Sequence, residues 1–228
     1  MSVLSVIMPV YNERETISEI IERVKPLAIK NKWEVIIVDD GSTDGTYEFL
    51  RDYREKFFKL LRHERNMGKG TSIRTGIEYA SSTYTIIQDA DLEYPPEEIE
   101  VLLNHAVEKN AIAVYGSRFL NSKKKGSLLF YIGNLFLTFM TNLLFGSKIT
   151  DMETCYKLVR TDVLKALNLK SKKFEIEPEI TAKLLKRGIK IYELPVSYFP
   201  RKAGKKIKVK DGIFALKKLI EVKFFEKV

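Results

Sequence analysis

The sequence predicts an α/β protein built on a mostly parallel, doubly wound sheet. Over the first 120 residues, short apolar runs rich in β-branched residues alternate with longer segments whose apolar residues recur at helical spacing. The short runs are apolar at nearly every position, as expected of strands that helices cover on both faces. Ligands of such a sheet bind at the carboxyl ends of its strands. Acidic residues end two of the runs and are therefore candidate site residues.

The N-terminal half is predicted from these segments in order. β-Branched runs at 3–8 and 34–38 predict the first two strands. Between them, residues 15–29 predict a helix, because charges lie on one face and the other carries Ile17, Ile20, Ile21, Val24 and Leu27. The same reasoning predicts helices at 46–56, 70–80 and 97–109, and strands at 58–62, 84–88 and 111–115.

The alternation ends at 128–145, an 18-residue stretch dominated by large apolar residues. Polar residues interrupt this stretch, so we expect it to fall short of a membrane-spanning helix, which needs about 20 predominantly apolar residues. The favoured interpretation is a helix, or a pair of half-helices, lying at a membrane interface. A helix buried in the protein core is the alternative.

The remaining elements complete one predicted domain, since 228 residues suit a single hydrophobic core. Residues 151–159 are expected to form a loop leading into a strand, and helices are expected at 161–167 and 177–187. The strand predicted at 189–198 contains Pro195, which indicates a sheet edge or a bend. The last helix, at 211–225, is amphipathic and basic, which suits a membrane surface or packing on its own domain.

The basic residues are concentrated in two runs, and the formal net charge is +9. One run is 123–125, and the other lies between Arg201 and Lys210. Because both runs precede apolar helical patterns, they favour an anionic membrane surface or phosphate groups as partners over nucleic acid. The alternative is that the two basic runs are charged loops exposed to solvent.

Two features favour a cytoplasmic location. The first nine residues lack the basic and long apolar segments of a secretory signal. Cys155 is the only cysteine, so no intrachain disulfide can form, in keeping with a reducing compartment. We expect Cys155 to have a packing role.

The strongest chemical signal is Asp89-Ala90-Asp91, directly after the apolar run at 84–88. Two carboxylates that leave a buried strand are costly to desolvate unless a positive charge joins them. Mg²⁺ or Mn²⁺ suits hard carboxylate oxygens and commonly shares its coordination with substrate phosphates. Glu93 could complete the metal shell, and a solvated acidic turn is the alternative.

A second acidic pair, Asp39-Asp40, ends the run at 34–38 and precedes a glycine-containing turn. A carboxylate at the end of a strand can accept hydrogen bonds from a nucleobase or ribose. The glycine-rich loop that holds phosphates in dinucleotide-binding proteins is not found in the sequence. Any phosphates would therefore be held by metal and cationic side chains.

Together, these motifs resemble the family 2 inverting glycosyltransferases. The resemblance rests on the order and spacing of PVYNE at 9–13, VDDGSTDGT at 38–46, NMGKG at 66–70 and DAD at 89–91. Within the family, the chain is most similar to the dolichol-phosphate mannose synthases and bacterial polyprenyl-phosphate glycosyltransferases, through 116–118, 151–157, 177–179 and the basic segment after Pro200. The resemblance implies a Rossmann-like GT-A fold, with 1–120 as the nucleotide-sugar-binding half and 121–228 as the acceptor and membrane-proximal half.

The resemblance also implies roles for individual residues. The base and ribose would lie against Pro9, Tyr11, Glu13, Val38 and Asp40. The ribose and diphosphate would meet Asp89, Ala90 and Asp91, and the metal would be bound by Asp91 and Glu93. Phosphate would be bound by Arg118 and Arg201 with help from Lys208, and the donor would be positioned by Lys69. The residues predicted to act in catalysis are Asp89, Asp91, Arg118 and Asp151.

The function implied is inverting transfer of mannose or glucose from a nucleotide diphosphate sugar to a polyprenyl phosphate such as dolichyl phosphate. GDP-mannose is the favoured donor and UDP-glucose the next. The protein would be attached to the cytoplasmic face of the cell membrane peripherally or through a partner. Two departures leave donor choice open: Glu93 stands where many mannose synthases have glutamine, and residues 153–155 replace a common Ser-Gly pair.

Two other functions stay open. One is family 2 transfer to a saccharide, which would need a carboxylate base, with Asp151 and Glu153 as candidates. The other is an inactive binding module that recruits a partner to membranes. Metal dependence of nucleotide binding separates that module from a transferase.

Overall fold

Seven strands form a mixed, mostly parallel sheet in the computed structural model, which describes residues 2–120, 128–201 and 209–227. The strands are β1 (Leu4–Val10), β2 (Glu34–Asp39), β3 (Phe58–Arg62), β4 (Tyr84–Ile87), β5 (Ala113–Ser117), β6 (Lys157–Arg160) and β7 (Ile191–Pro195). Their order is β3-β2-β1-β4-β6-β5-β7, and β6 runs antiparallel to both β4 and β5. The predicted fold class is confirmed, and strands from both predicted halves enter the sheet.

The predicted helices are all present, with ends within four residues of those expected. They are α1 (Ile17–Asn31), α2 (Thr46–Asp52), α3 (Lys69–Tyr79), α4 (Ile99–Glu108), α5 (Leu128–Phe145), α6 (Thr161–Ala166), α7 (Ile176–Lys186) and α8 (Val209–Phe224). A short 3₁₀ turn, Pro96–Glu98, leads into α4. The strand that contains Pro195 pairs only with β5 among the described strands, which confirms its predicted edge position.

The helices cover both faces of the sheet, and alternation along β1 shows how. Val6 and Met8 belong to the core cluster that includes apolar residues of α1 and α4. Ile7 points to the opposite face, into the cluster that includes residues of α3 and α7. Both faces of β1 are buried at every position except Pro9, which explains why its sequence is mostly apolar at successive positions.

Helix α5 is one continuous helix with an unusual distribution of side chains. Its buried residues are Leu137, Thr138 and Thr141, and only 17% of the helix is buried. A stripe of apolar side chains remains exposed, with exposures of 50–65% at Leu129, Ile132, Phe136, Phe139 and Leu143. The alternatives of two half-helices and of a buried core helix are therefore wrong.

By length and composition alone, α5 could cross a membrane, since its 18 residues have a mean hydropathy of 1.7. This corrects the expectation that the stretch falls short of a spanning helix. Core helices of soluble proteins meet the same criterion, so it does not by itself place α5 in a bilayer.

Helix α8 packs against α5 and α7 and thereby fixes the orientation of α5. Ala215, Leu219 and Val222 are buried in a small core that also contains Leu137 of α5. The Lys186 ammonium donates hydrogen bonds to three carbonyl groups at the end of α8. Packing on the domain, one of the two predictions for this helix, is therefore confirmed, while Phe224 and Phe225 remain exposed.

Candidate active site

The carboxyl ends of β1, β2, β4 and β5 border a cleft of about 690 Å³. Most of the predicted site residues line it, namely Pro9, Tyr11, Glu13, Asp40, Lys69, Asp89, Ala90, Asp91, Glu93, Arg118 and Arg201. Val38 and Asp151 are fully buried behind the cleft. Lys208, predicted to assist in binding phosphate, lies outside the described residues. The fold thus brings together the carboxylates and cations that the sequence leaves far apart.

The turn after β4 carries the central carboxylates of the cleft. Asp91 accepts a hydrogen bond from the Glu93 amide at 3.0 Å through Oδ1. Its Oδ2 lies 3.1 Å from Nη2 of Arg201. Asp89 is paired with the Lys69 ammonium, which lies 2.8 Å from its Oδ2. The side chains of both aspartates are 20% exposed, so their remaining acceptor positions can be reached by a ligand.

Glu93 fastens the segment after β7 onto this turn. Its Oε2 accepts a hydrogen bond from the Tyr198 hydroxyl at 2.9 Å, and its Oε1 accepts one from the Arg201 amide at 2.8 Å. The Glu93 carbonyl also accepts the Phe199 amide at 2.9 Å. The carboxylate therefore positions Arg201, which is a role that sequence reasoning missed.

The Arg201 guanidinium contacts two carboxylates. Its Nη2 is 3.2 and 3.3 Å from the two oxygens of Glu13, in addition to its contact with Asp91. Because a planar guanidinium can also bind phosphate oxygens in pairs, this group is suited to exchange a carboxylate for a diphosphate.

The acidic residues of the cleft fit a divalent cation that a substrate helps to hold. Among the described residues, no three acidic, histidine or cysteine side chains form a group that could hold a metal by themselves. Mg²⁺ and Mn²⁺ sites of phosphate-handling enzymes commonly use one or two carboxylates and fill the remaining positions with phosphates and water. Asp91, partly exposed beside Asp89, provides such a partial set. Glu93 is less available, because both its oxygens already accept hydrogen bonds.

Arg118 and Asp151 form a buried ion pair at the back of the cleft. The Arg118 backbone amide and Nε donate to Oδ2 of Asp151 at 2.9 and 2.7 Å, and Nη2 donates to Oδ1 at 2.6 Å. The Asp151 side chain is fully buried, and that of Arg118 is 11% exposed. Both Asp151 oxygens are therefore committed to the arginine, which leaves this carboxylate poorly placed to take a proton from a ligand.

Lys69 is held by carboxylates from two elements. Its ammonium lies 2.8 Å from Asp89 and 3.3 Å from Oε1 of Glu177 on α7. Burial by itself lowers the pKa of Lys69, but Asp89 and Glu177 outweigh it and raise the pKa well above its ordinary value. A permanent positive charge therefore lies next to the predicted ribose and diphosphate position.

Asp40 holds the loop between β3 and α3. Its carboxylate accepts the backbone amides of Met67 and Gly68 at 3.0 and 2.7 Å, and Oδ1 lies 2.7 Å from Nδ1 of His63. This loop supplies Asn66 and Gly68 to the cleft. Sequence reasoning assigned Asp40 to the base or ribose and missed its contacts with the loop, since these pair residues that are about 25 positions apart.

Gly68 is required by this arrangement, and we expect Gly68→Ala to destabilise the protein. Its φ is +98°, and an added Cβ would lie 2.3 Å from the Lys172 carbonyl oxygen. The strain is expected to lower the free energy of unfolding by about 1–3 kcal/mol. Urea denaturation measures the change. Gly133→Ala is the control, because a Cβ there meets nothing within 4 Å; an equal loss in both variants would contradict the explanation.

Curated relatives are similar in sequence to this chain. The chain is 29% identical over 206 residues to a dolichol-phosphate mannosyltransferase of Pyrococcus furiosus, covering 88% of this chain and 58% of that one. It is 28% identical over 211 residues to a UDP-N-acetylglucosamine–dolichyl-phosphate N-acetylglucosaminyltransferase of Methanococcus voltae, covering 83% of each.

Solved structures show the same fold. Glucosyl-3-phosphoglycerate synthase from Mycobacterium tuberculosis, solved with Mn²⁺, UDP and phosphoglyceric acid, matches with a TM-score of 0.71 at 15% identity, covering 97% of this chain and 77% of that one. The fold is therefore of the GT-A type. The family model described as glycosyl transferase family 2 matches residues 5–167. The chain belongs to glycosyl transferase family 2 and is related to its polyprenyl-phosphate transferases.

Proposed function

We propose that the protein transfers a hexose from a nucleotide diphosphate sugar to a polyprenyl phosphate, with inversion at the anomeric carbon. The observation that carries this proposal is the composition of the cleft. Asp89, Asp91 and Arg201 line its polar part, and Leu129 and Phe136 of α5 line the same cleft. A site for a phosphate carried on an apolar chain needs both surfaces side by side.

The polar part suits the nucleotide diphosphate. A divalent cation bound by Asp91, with Asp89 beside it, would neutralise the charge that develops on the departing diphosphate. Arg201 and Lys69 lie within contact distance of these carboxylates and add positive charge to the same region. These side chains would hold the diphosphate and orient the sugar toward the acceptor.

The acceptor is proposed to be a phosphate and not a sugar hydroxyl. A phosphate monoester is largely ionised near neutral pH, so the attack needs no strong general base, and catalysis depends on positioning and electrostatic stabilisation. The commitment of both Asp151 oxygens to Arg118 supports this choice, since it removes one of the two candidate bases and leaves only Glu153. Transfer to a saccharide is the weaker alternative because it would need such a base.

The donor is proposed to be GDP-mannose first and UDP-glucose second. The two named relatives differ in the sugar that their names specify, mannose in one and N-acetylglucosamine in the other. A direct comparison of donors is therefore the first measurement of specificity.

A transfer assay tests the proposal. The protein is incubated with vesicles containing a polyprenyl phosphate, Mn²⁺ or Mg²⁺, and one of GDP-mannose, UDP-glucose or UDP-N-acetylglucosamine. We expect sugar to enter the lipid fraction from one donor and the reaction to stop when EDTA removes the metal. Metal-independent nucleotide binding without transfer would instead favour the inactive binding module.

The membrane surface is the proposed location, and the apolar stripe of α5 is its proposed contact. We expect the double variant Phe139→Asn/Leu143→Asn to bind anionic vesicles roughly tenfold more weakly, because each side chain loses apolar burial. Both side chains are more than 60% exposed, so folding should be preserved. Vesicle sedimentation measures the binding.

The matched control for vesicle binding is Val101→Asn/Val107→Asn, which changes exposed apolar residues on α4. These substitutions should leave sedimentation unchanged. Equal binding by both double variants and the unmodified protein would rule out α5 as the membrane contact.

A further inference from the structure

Two cations beneath the cleft are each committed to a carboxylate. The Lys157 ammonium is completely buried and lies 2.8 Å from Oε2 of Glu177, while also donating to the Thr154 carbonyl. The Arg118 guanidinium is committed in the same way to Asp151. Each of these two buried positive charges is therefore paired with one negative charge.

Glu153 is the carboxyl group left over in this arrangement. It lines the cleft, and its Oε1 is shielded from solvent without a hydrogen-bond partner among the described residues. Glu153 as a whole is half-buried, but a shielded carboxylate oxygen without a donor is costly when the group is ionised, and protonation avoids this cost. Burial raises the pKa of Glu153 to about 7, with Glu177 and Asp151 adding to the shift while Lys157 and Arg118 oppose it.

We propose that Glu153 is a specificity-determining residue that binds a hydroxyl group of the transferred sugar through its uncharged carboxyl group. This inference rests on the proposed transferase function. A protonated carboxyl group has one O–H donor and an acceptor oxygen, and a sugar hydroxyl has the same pair, so the two can bond reciprocally. The ligand hydroxyl would satisfy the buried Oε1, and a sugar that lacks it would leave that oxygen unpaired.

The diphosphate is a less suitable partner for Glu153 than the sugar. Phosphate groups carry negative charge, and Arg201, Lys69 and the proposed metal position beside Asp91 attract them to the turn after β4. A carboxyl group that can ionise would repel phosphate above neutral pH. The contact is therefore assigned to the part of the donor that carries hydroxyl groups and no charge.

Calorimetric binding in the presence of Mn²⁺ tests the assignment. The ligands are GDP, GDP-mannose, UDP and UDP-glucose, and the proteins are the unmodified chain, Glu153→Gln and Glu153→Ala. We expect Glu153→Ala to weaken binding of the nucleotide sugar by roughly tenfold, the effect of one lost hydrogen bond, and to leave the matching diphosphate within about twofold. Glutamine keeps a donor and an acceptor and should bind the sugar nearly as well.

The pH dependence gives a second readout. Glu153 is protonated below its pKa of about 7 and charged above it, so nucleotide-sugar binding should be strongest at pH 6 and weaken through pH 8. From pH 6 to pH 8, we expect the affinity of the unmodified protein for the nucleotide sugar to fall by about fivefold or more. The affinity of Glu153→Gln should change little over the same range. The charged neighbours of position 153 are the same in the unmodified protein and in Glu153→Gln, namely Lys157, Arg118, Glu177 and Asp151. A difference in pH dependence between the two proteins is therefore due to Glu153.

Glu108→Gln is the control, since it removes an exposed carboxylate on α4, and melting temperatures confirm folding of each variant. Equal weakening of the diphosphate and the nucleotide sugar by Glu153→Ala would overturn the sugar contact. Normal binding by Glu153→Gln with loss of transfer would overturn it too, in favour of a general base. If the unmodified protein binds no diphosphate, the proposed function itself fails, whereas binding unaffected by Glu153 variants refutes only this inference.

Discussion

Replacing Asp91 with asparagine is expected to lower the rate of transfer by about 100- to 1,000-fold, the effect of losing one main electrostatic contact with the developing charge. Asparagine has nearly the same shape, and it can still accept the Glu93 amide that Oδ1 accepts now. Asparagine lacks the negative charge that would bind the proposed metal ion. Initial rates at saturating donor, measured over a series of Mn²⁺ concentrations, give the size of the loss and any shift in metal requirement.

Two controls make this result specific. Asp52→Asn removes an exposed carboxylate on α2 and should leave the rate unchanged. Glu93→Gln should have a smaller effect than Asp91→Asn, because the oxygens of Glu93 already bind Tyr198 and Arg201. If Glu93→Gln abolished metal dependence while Asp91→Asn kept it, the assignment of the metal to Asp91 would be wrong.

The largest effect on stability is expected from Arg118→Met. The substitution removes two of the three hydrogen bonds that Asp151 accepts from Arg118 and keeps the one from the backbone amide. It leaves a fully buried carboxylate without its paired cation. Breaking a buried pair in this way typically costs about 3–5 kcal/mol, since one buried charge is left uncompensated. Urea denaturation at pH 7 measures the free energy of unfolding.

The second substitution that tests this explanation is Asp151→Asn in the same chain. The double variant Arg118→Met/Asp151→Asn has no buried charge at this position. The asparagine side-chain oxygen can still accept a hydrogen bond from the backbone amide of residue 118, so most of the lost stability should return. Arg23→Met is the matched surface control, because its pair with Glu97 is partly exposed and should be worth less than about 1 kcal/mol. A double variant as unstable as Arg118→Met alone would show that packing, and not charge, is responsible.

The order of strands and helices was predictable because buried strands and amphipathic helices leave periodic patterns in the sequence. β1 and β2 are apolar at successive positions, and their parallel pairing follows from burial on both faces. The reversed direction of β6 was not predictable. Its position between β4 and β5 depends on pairing with strands more than 40 residues away, and Lys157–Arg160 carries no pattern that specifies a partner or a direction.

The surface character of α5 illustrates a different limit. Its composition allowed an interfacial helix, two half-helices or a core helix, since all three are apolar. Packing of Leu137 against α8 determined the orientation of the helix, because it buries Thr138 and Thr141 and leaves the apolar stripe exposed. Hydrophobicity gives the amount of apolar surface, and only the neighbouring helices determine which part of it remains exposed.

The sequence by itself determined which carboxylates meet at the cleft, because Asp40, Asp89 and Asp91 follow apolar strands and strand ends meet at one edge of a parallel sheet. Only the tertiary structure decided which contacts the other charged residues of the cleft make. Glu93 holds Arg201, Asp151 is committed to Arg118, and Oε1 of Glu153 has no hydrogen-bond partner in the part of the chain that the structure describes. A charge pair depends on distances of about 3 Å between elements far apart in the chain, and these distances are fixed by packing and not by local sequence.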